Sequence, residues 1–119
     1  MKLAVRDVNK IAILDPSGDV DLSSSPRLRE DLLKQMQSGA SSVLVNMTDV
    51  RYIDSSGIAT LVEGLQLAKH HKKHFGLYGL RTNARSVLEL ARLDTVFTIF
   101  ESEAEALEKI ESSPVFGGV

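Results

Sequence analysis

Cysteine is absent from this sequence. A chain without thiols has no disulfide, no cysteine nucleophile and no thiolate metal site. A long apolar run is also missing, because the longest stretch without a charged residue, Gln35 to Thr48, is shorter and more polar than the roughly 20 apolar residues of a membrane helix. Charged residues at Lys2, Arg6 and Asp7 interrupt the start of the chain, which excludes a secretory signal there. These absences predict a cytoplasmic protein without membrane insertion.

An excess of positive charge is missing as well. The 14 Lys and Arg residues stand against 16 Asp and Glu residues, for a formal net charge of -2. Such a balance supplies no basic field for a phosphate backbone, so no direct contact with nucleic acid is expected. The chain has 119 residues, of which 43% are hydrophobic and 25% charged. That length and composition predict one folded domain with a single core.

The hydrophobic pattern alternates between strand-like and helix-like segments along the chain. Strands are predicted around residues 3–5 and at 11–14, 43–47, 75–78 and 96–100, with 43–47 at the sheet centre. The run Ser23-Ser24-Ser25-Pro26 predicts the start of a first helix that ends near Gly39. Three more helices are predicted, one after residue 57, one capped by Asn83 and one opened by Ser102. We therefore expect an α/β fold with a mixed central sheet and about four helices.

The segment Asp54-Ser55-Ser56-Gly57 lies between a predicted β-to-α loop and a helix start. A helix start has unpaired N–H groups and a positive dipole end, so a hydroxyl there can act as a cap or can carry a phosphate. Simple N-capping is the ordinary explanation of such a residue. Three polar candidates for one cap, followed by a glycine in the first turn, favour an additional role. The glycine also indicates close approach by another backbone or molecule.

The residues from Asn46 to Gly57, NMTDVRYIDSSG, resemble the hallmark loop of STAS domains, specifically of the bacterial anti-sigma factor antagonists. Upstream, Gly18-Asp19-Val20-Asp21 is similar to the turn that precedes the first helix of that family. The resemblance covers residues 1–111, and residues 112–119 are predicted to form a frayed tail. It implies a mixed sheet whose first strand is antiparallel to the others.

The resemblance also implies a function. In the family, an anti-sigma factor that is also a serine kinase phosphorylates the first serine after the aspartate, which is Ser55 here, and a serine phosphatase removes the phosphate. The unphosphorylated form binds the kinase and releases a sigma factor. The chain would then be a regulatory binding protein, not an enzyme, without a cofactor or a metal, and a monomer or weak dimer. The expected partner-binding residues are Asp21, Asp54, Ser55, Ser56 and Gly57.

Other functions remain open at the level of sequence. A STAS subunit can be a scaffold in a lipid-transport ABC complex or a signalling assembly. A small serine hydrolase is a more distant alternative, since no G-x-S-x-G motif surrounds Ser55 or Ser56. His70 and His74 have a spacing that can chelate a metal on a helix, but the lysines around them favour a basic helix end instead. The arginines of the third predicted helix, Arg81, Arg85 and Arg92, are interpreted as solvated surface charges.

Overall fold

The computed structural model describes residues 1–112. Within them the chain forms six strands, four α-helices and a closing 3-10 helix. The strands are β1 (Lys2–Val8), β2 (Ile11–Val20), β3 (Ser42–Asn46), β4 (Val50–Ile53), β5 (His74–Tyr78) and β6 (Thr98–Phe100). The helices are α1 (Ser25–Met36), α2 (Ser55–His71), α3 (Thr82–Leu90), α4 (Glu103–Lys109) and the 3-10 helix Ile110–Ser112. Of the predicted tail, only Ser112 is among the described residues.

The strands form a mixed sheet in the order β1-β2-β3-β5-β6, with β4 paired to β2. Only the β1–β2 pair is antiparallel, and the other pairs are parallel. Strand β3 lies at the centre, as its continuous apolar sequence predicts. The α/β class, the antiparallel first strand and the four helices are therefore confirmed.

Strand β2 is longer than its sequence suggests. The hydrophobic pattern predicts a strand over residues 11–14, but the strand continues to Val20. The prediction is wrong because β2 changes partners along its length: residues 11–14 pair with β3, and residues 18–20 pair with β4. Pro16 lies in the short stretch between these two ladders, which pairs with β1 alone, and proline is tolerated where one side of a strand has no ladder.

Strand β4 was expected to be part of a loop from Thr48 to Ser56. Its burial pattern explains the error, because Val50 and Ile53 are buried while Arg51 and Tyr52 between them are exposed. Four residues without regular alternation carry no strand signal of their own. The strand exists because it continues the parallel pairing of β2 beyond the end of β3.

The sheet separates two apolar layers. Helices α1, α2 and α3 cover one face, where their buried side chains pack with Ala12 and Leu14 of β2. Helix α4 and the 3-10 helix cover the other face, with Ile11 and Ile13. Neighbouring residues of β2 thus enter opposite layers, as the two-residue period of a strand requires. No helix within the described residues is long and apolar enough to cross a bilayer.

Several helix ends differ from the predictions. Helix α1 ends before Gly39, with Gln37 as a right-handed C-cap, so the glycine is not the cap. Strand β6 begins at Thr98, two residues later than expected. Helix α3 has Arg81 at its N-cap position, and the side chain of Asn83 does not cap it. The predicted cap of α4 is confirmed, because the Ser102 hydroxyl accepts the N–H of Glu105.

Candidate functional site

Two aspartates follow two parallel neighbouring strands at the same edge of the sheet. Asp21 comes directly after β2, and Asp54 comes directly after β4. The backbone N–H of Asp54 donates to the carbonyl of Val20 at 3.2 Å, which holds the two turns side by side. The carboxyl ends of parallel strands are the usual position of ligand and partner sites in open α/β sheets.

Asp54 is the N-cap of α2. Its Oδ1 accepts the backbone N–H groups of Ser56 at 2.9 Å and Gly57 at 3.1 Å. The Ser56 hydroxyl donates to the same oxygen at 2.6 Å. This hydroxyl, ahead of the backbone amides, lowers the pKa of the Asp54 carboxyl. The ordinary capping role is therefore filled by Asp54, and Ser55 is left out of it.

Asp21 has a similar set of bonds in its own turn, with the hydroxyl of Ser24 as an additional donor at 3.2 Å. Its Oδ1 accepts the N–H of Ser23 at 3.0 Å, the N–H of Ser24 at 3.2 Å and the hydroxyl of Ser23 at 2.7 Å. The Ser23 hydroxyl is again the main reason that the pKa of the aspartate is lowered. Ser24 is the N-cap of α1 by position, but its side chain does not cap the helix. Its oxygen instead accepts the N–H of Asp21 at 2.9 Å.

Ser55 is the first residue of α2 and is exposed. Its hydroxyl makes no hydrogen bond to any of residues 1–112, although the neighbouring aspartate and serine are both bonded within the turn. A free hydroxyl at the start of a helix is accessible to a modifying enzyme. The structure thus distinguishes the free hydroxyl of Ser55 from the hydroxyl of Ser56, which is bonded to Asp54.

Ser56 and Gly57 face inward. The Ser25 and Ser56 hydroxyls lie 3.3 Å apart, which links the starts of α1 and α2. Gly57 is buried, and a Cβ atom there would lie 2.5 Å from Cγ1 of Ile53 and 2.9 Å from Cγ1 of Val20. The close approach that the glycine predicts is therefore made by side chains of the protein's own core. Gly57 lets the first turn of α2 lie directly on the ends of β2 and β4.

Apolar side chains that the sequence analysis did not single out are exposed around this edge. Leu22, in the Asp21 turn, has 78% of its surface exposed, and Tyr52 of β4 has 46% exposed. The position of Leu22 directly after Asp21, outside any helical stripe, was the available signal. Arg51 lies 3.5 Å from Asp19 in an exposed ion pair. The edge therefore combines half-buried carboxylates, exposed apolar side chains and the free hydroxyl of Ser55.

The histidines lie far from Ser55. His70 and His71 are in the last turn of α2, about 25 Å from its start for a helix of 17 residues, and His74 is already in β5. His70 and His74 therefore do not share a helix, and no group of His, Asp or Glu in residues 1–112 has a metal-binding arrangement. A serine nucleophile with a histidine base is not assembled here.

A second polar cluster lies on the α4 side of the sheet. Arg6 donates to both carboxylate oxygens of Asp15 and, at 2.6 Å, to Glu103. The hydroxyl of Tyr78 also donates to Glu103, at 2.7 Å. Hydrogen bonds from Arg6 lower the pKa of both carboxyls, and burial raises the pKa of Tyr78. This cluster fastens α4 to the sheet and contains no free nucleophile.

The chain was compared with known proteins. A family model described as STAS domain matches residues 2–106. The anti-sigma-B factor antagonist of Staphylococcus epidermidis is 26% identical over 84 residues, which cover 71% of this chain and 78% of that protein.

Solved structures share the fold at low sequence identity. An anti-sigma factor antagonist described as putative, from Thermotoga maritima, has a TM-score of 0.85 at 21% identity, over 92% of this chain and 94% of that one. The Bacillus cell fate determinant SpoIIAA in its phosphorylated form has a TM-score of 0.72 at 16% identity, over 92% and 99%. A sulfate transporter family protein from Wolinella succinogenes has a TM-score of 0.77 at 15% identity, over 90% and 89%. The family model, which spans most of the chain, decides the assignment: the chain belongs to the STAS domain family.

Proposed function

We propose that this protein is an anti-sigma factor antagonist regulated at Ser55. Its unphosphorylated form binds an anti-sigma factor that is also a serine kinase, and a sigma factor is released. Phosphorylation of Ser55 by that kinase ends the binding, and a serine phosphatase restores it. Relatives named as anti-sigma factor antagonists support this function over the other activities of STAS domains.

The exposed hydroxyl of Ser55 is the observation on which the proposal depends. Asp54 already occupies the backbone N–H groups of Ser56 and Gly57, two of the donors that the first turn of α2 would otherwise offer to a phosphate. A phosphate on Ser55 would therefore remain at the surface, where a partner meets it.

The charge of a phosphate explains why phosphorylation of Ser55 would weaken binding to the partner. A phosphoserine carries about -1.5 to -2 charges at neutral pH, so the net charge of the chain would change from -2 to about -4. The new charge would lie beside the carboxylates of Asp54 and Asp21. A partner surface that accepts this edge would then have to bury or oppose several like charges, which costs affinity without a change of fold. SpoIIAA, which has the same fold, keeps it in the phosphorylated form.

The test uses the tagged full chain expressed in the organism it comes from. Ser55→Ala should capture a kinase-fold anti-sigma factor, and Ser55→Asp should capture at least tenfold less. Ser86→Asp is the matched control, since Ser86 is exposed on α3 and receives the same charge away from the site. Intact-mass and peptide analysis of the unsubstituted chain should locate one phosphate, on Ser55.

Two results would refute the proposal. If the phosphate is found on another residue and is still present in Ser55→Ala, the assignment of Ser55 as the phosphorylated residue is wrong. Equal capture of the kinase by Ser55→Asp and Ser55→Ala would remove the charge mechanism. Recovery of a transporter subunit in place of a kinase would favour the scaffold function instead.

A further inference from the structure

Helix α3 begins without a side-chain cap. Arg81 occupies the N-cap position, and no side chain accepts an N–H group of the first turn. Asn83, in that turn, is a residue type that commonly caps helices through its side-chain oxygen. In this structure the two side chains are bonded to another element. A departure from a local rule of this kind often marks a position selected for something other than stability.

The bonds of Arg81 and Asn83 both go to strand β4 and its approach. The Nε of Arg81 donates to the carbonyl of Thr48 at 2.7 Å, just before the strand begins. The Oδ1 of Asn83 accepts the backbone N–H of Ile53 at 3.2 Å, at the last residue of the strand. Helix α3 thus holds β4 at both ends.

Strand β4 needs this support because it has one strand partner among residues 1–112. It pairs with β2 over Val50, Tyr52 and Ile53, and its other edge faces α3. The segment that leads into α3 lies against the approach to β4, since a Cβ atom on Gly79 would be 2.4 Å from Oγ1 of Thr48. The Asn83 oxygen therefore does for Ile53 what a neighbouring strand would otherwise do.

We propose that Asn83 and Arg81 are positioning residues for the Ser55 site. Asn83 fixes the N–H of Ile53, the next residue is the capping Asp54, and the next is Ser55. Through this path of three residues the start of α3 sets where the Ser55 hydroxyl is presented. The expected effect on phosphorylation rests on the proposed function of Ser55. The expected effect on strand β4 rests only on the hydrogen bonds between α3 and β4.

The physical content is tested by amide hydrogen exchange on the full chain. Asn83→Ala removes the acceptor of the Ile53 N–H, and we expect that amide to exchange at least tenfold faster. Asn83→Asp keeps an oxygen at the same position and should restore the exchange rate to within about threefold of the unsubstituted chain. Ser86→Ala, one turn later on the exposed side of α3, is the matched control and should leave Ile53 unchanged.

The functional content is tested by the fraction of Ser55 that is phosphorylated when each variant is expressed in its own organism. Asn83→Ala should lower that fraction at least fivefold, and Asn83→Asp should return it to the level of the Ser86→Ala control. A general loss of stability would not be corrected by the conservative variant alone. Arg81→Met provides an independent second variant, which keeps an unbranched side chain as far as the position of Nε and removes the donor to Thr48. It should also lower phosphorylation.

The outcomes separate the two proposals. An unchanged exchange rate of the Ile53 amide in Asn83→Ala overturns the positioning role. Normal phosphorylation of a variant in which this amide exchanges faster also overturns it. If the unsubstituted chain carries no phosphate on Ser55, the proposed function fails, and the exchange experiment alone still decides whether Asn83 holds β4. If Asn83→Ala does not fold, normal phosphorylation of Arg81→Met overturns the positioning role and reduced phosphorylation supports it.

Discussion

The turns at Asp21 and Asp54 form a matched pair. In each, Oδ1 accepts the N–H groups of the second and third residues after the aspartate, and the serine at the second position adds its hydroxyl. Both carboxyls have lowered pKa values, mainly because of that serine. The capping chemistry is therefore common to both turns and does not by itself mark a regulatory site.

The two turns differ at the first and third positions after the aspartate. The first position is Leu22 in one turn and Ser55 in the other, both exposed. The third is Ser24, whose hydroxyl bonds within its turn, and Gly57, which is buried against core side chains. The Asp21 turn thus presents an apolar side chain at the surface. The Asp54 turn presents a free hydroxyl and packs more tightly on the core through Gly57. The difference teaches that the same aspartate–serine hydrogen bonds can present either an apolar side chain or a free hydroxyl at the surface.

The largest effect is expected from Gly57→Ala. The added Cβ would lie 2.5 Å from Ile53 and 2.9 Å from Val20, so the first turn of α2 must move away from the sheet. We expect a loss of about 1–3 kcal/mol in the free energy of unfolding, measured by chemical denaturation. Ser24→Ala, at the matching position of the other turn, loses only hydrogen bonds and should cost about 1 kcal/mol. Equal losses would contradict the packing difference.

A smaller effect on stability is expected from replacing the aspartate of each turn. Asp54→Ala should lower the Tm more than Asp21→Ala does, because Asp54 caps the 17-residue α2 directly, whereas the Asp21 turn precedes a helix that starts later. Thermal melts monitored by circular dichroism give the comparison. Asp49→Ala is the control, since it removes an equal charge from an exposed position near the same edge. A larger loss for Asp21→Ala would reverse the assigned roles.

The aspartates of the two turns also predict a pH dependence. Their folded pKa values lie below the unfolded value of about 3.9, so their stabilisation is fully present above that pH and is lost as the pH falls through the folded values. We therefore expect the free energy of unfolding, measured by chemical denaturation at several pH values between about 5 and 2, to fall more steeply with decreasing pH for the unsubstituted chain. The comparison is a chain that carries both Asp21→Asn and Asp54→Asn. Other carboxyls titrate in both proteins and cancel in the difference. If the free energy of unfolding changed equally with pH in both proteins, the two carboxylates would make no pH-dependent contribution to stability.

The smallest effect on stability is expected at the first position of each turn. Ser55→Leu and Leu22→Ser exchange the two exposed residue types, and each should change the free energy of unfolding by less than about 0.5 kcal/mol. Phosphorylation should disappear from Ser55→Leu. The hydroxyl introduced at position 22 should not acquire it, because that position precedes its helix by three residues. Phosphate on position 22 would mean that the turn alone is recognised.

The accuracy of the sequence predictions depended on the range of the interactions involved. The apolar stripe of the first helix follows from the period of one segment, which predicts Leu28, Leu32, Leu33 and Met36 on one face. Leu28, Leu32 and Met36 are buried in the core, and Leu33 is half-buried. Strand β4 and the second half of β2 were missed, because each is a strand only through pairing with the other. Asn83 was assigned as a cap on local grounds and bonds instead to Ile53, 30 residues away in the chain.

The sequence by itself determined the α/β class, the amphipathic faces of the helices and the junction at which Asp54, Ser55, Ser56 and Gly57 lie, since these depend on residue types within a few positions of one another. Only the tertiary structure decided which of those four residues caps the helix, which is buried and which keeps a free hydroxyl. The position of the Asp21 turn beside the Asp54 turn, and the support of β4 by α3, likewise required the fold. The physical reason is that a hydrogen bond or a close contact between distant segments depends on strand register and helix placement, which no single segment encodes.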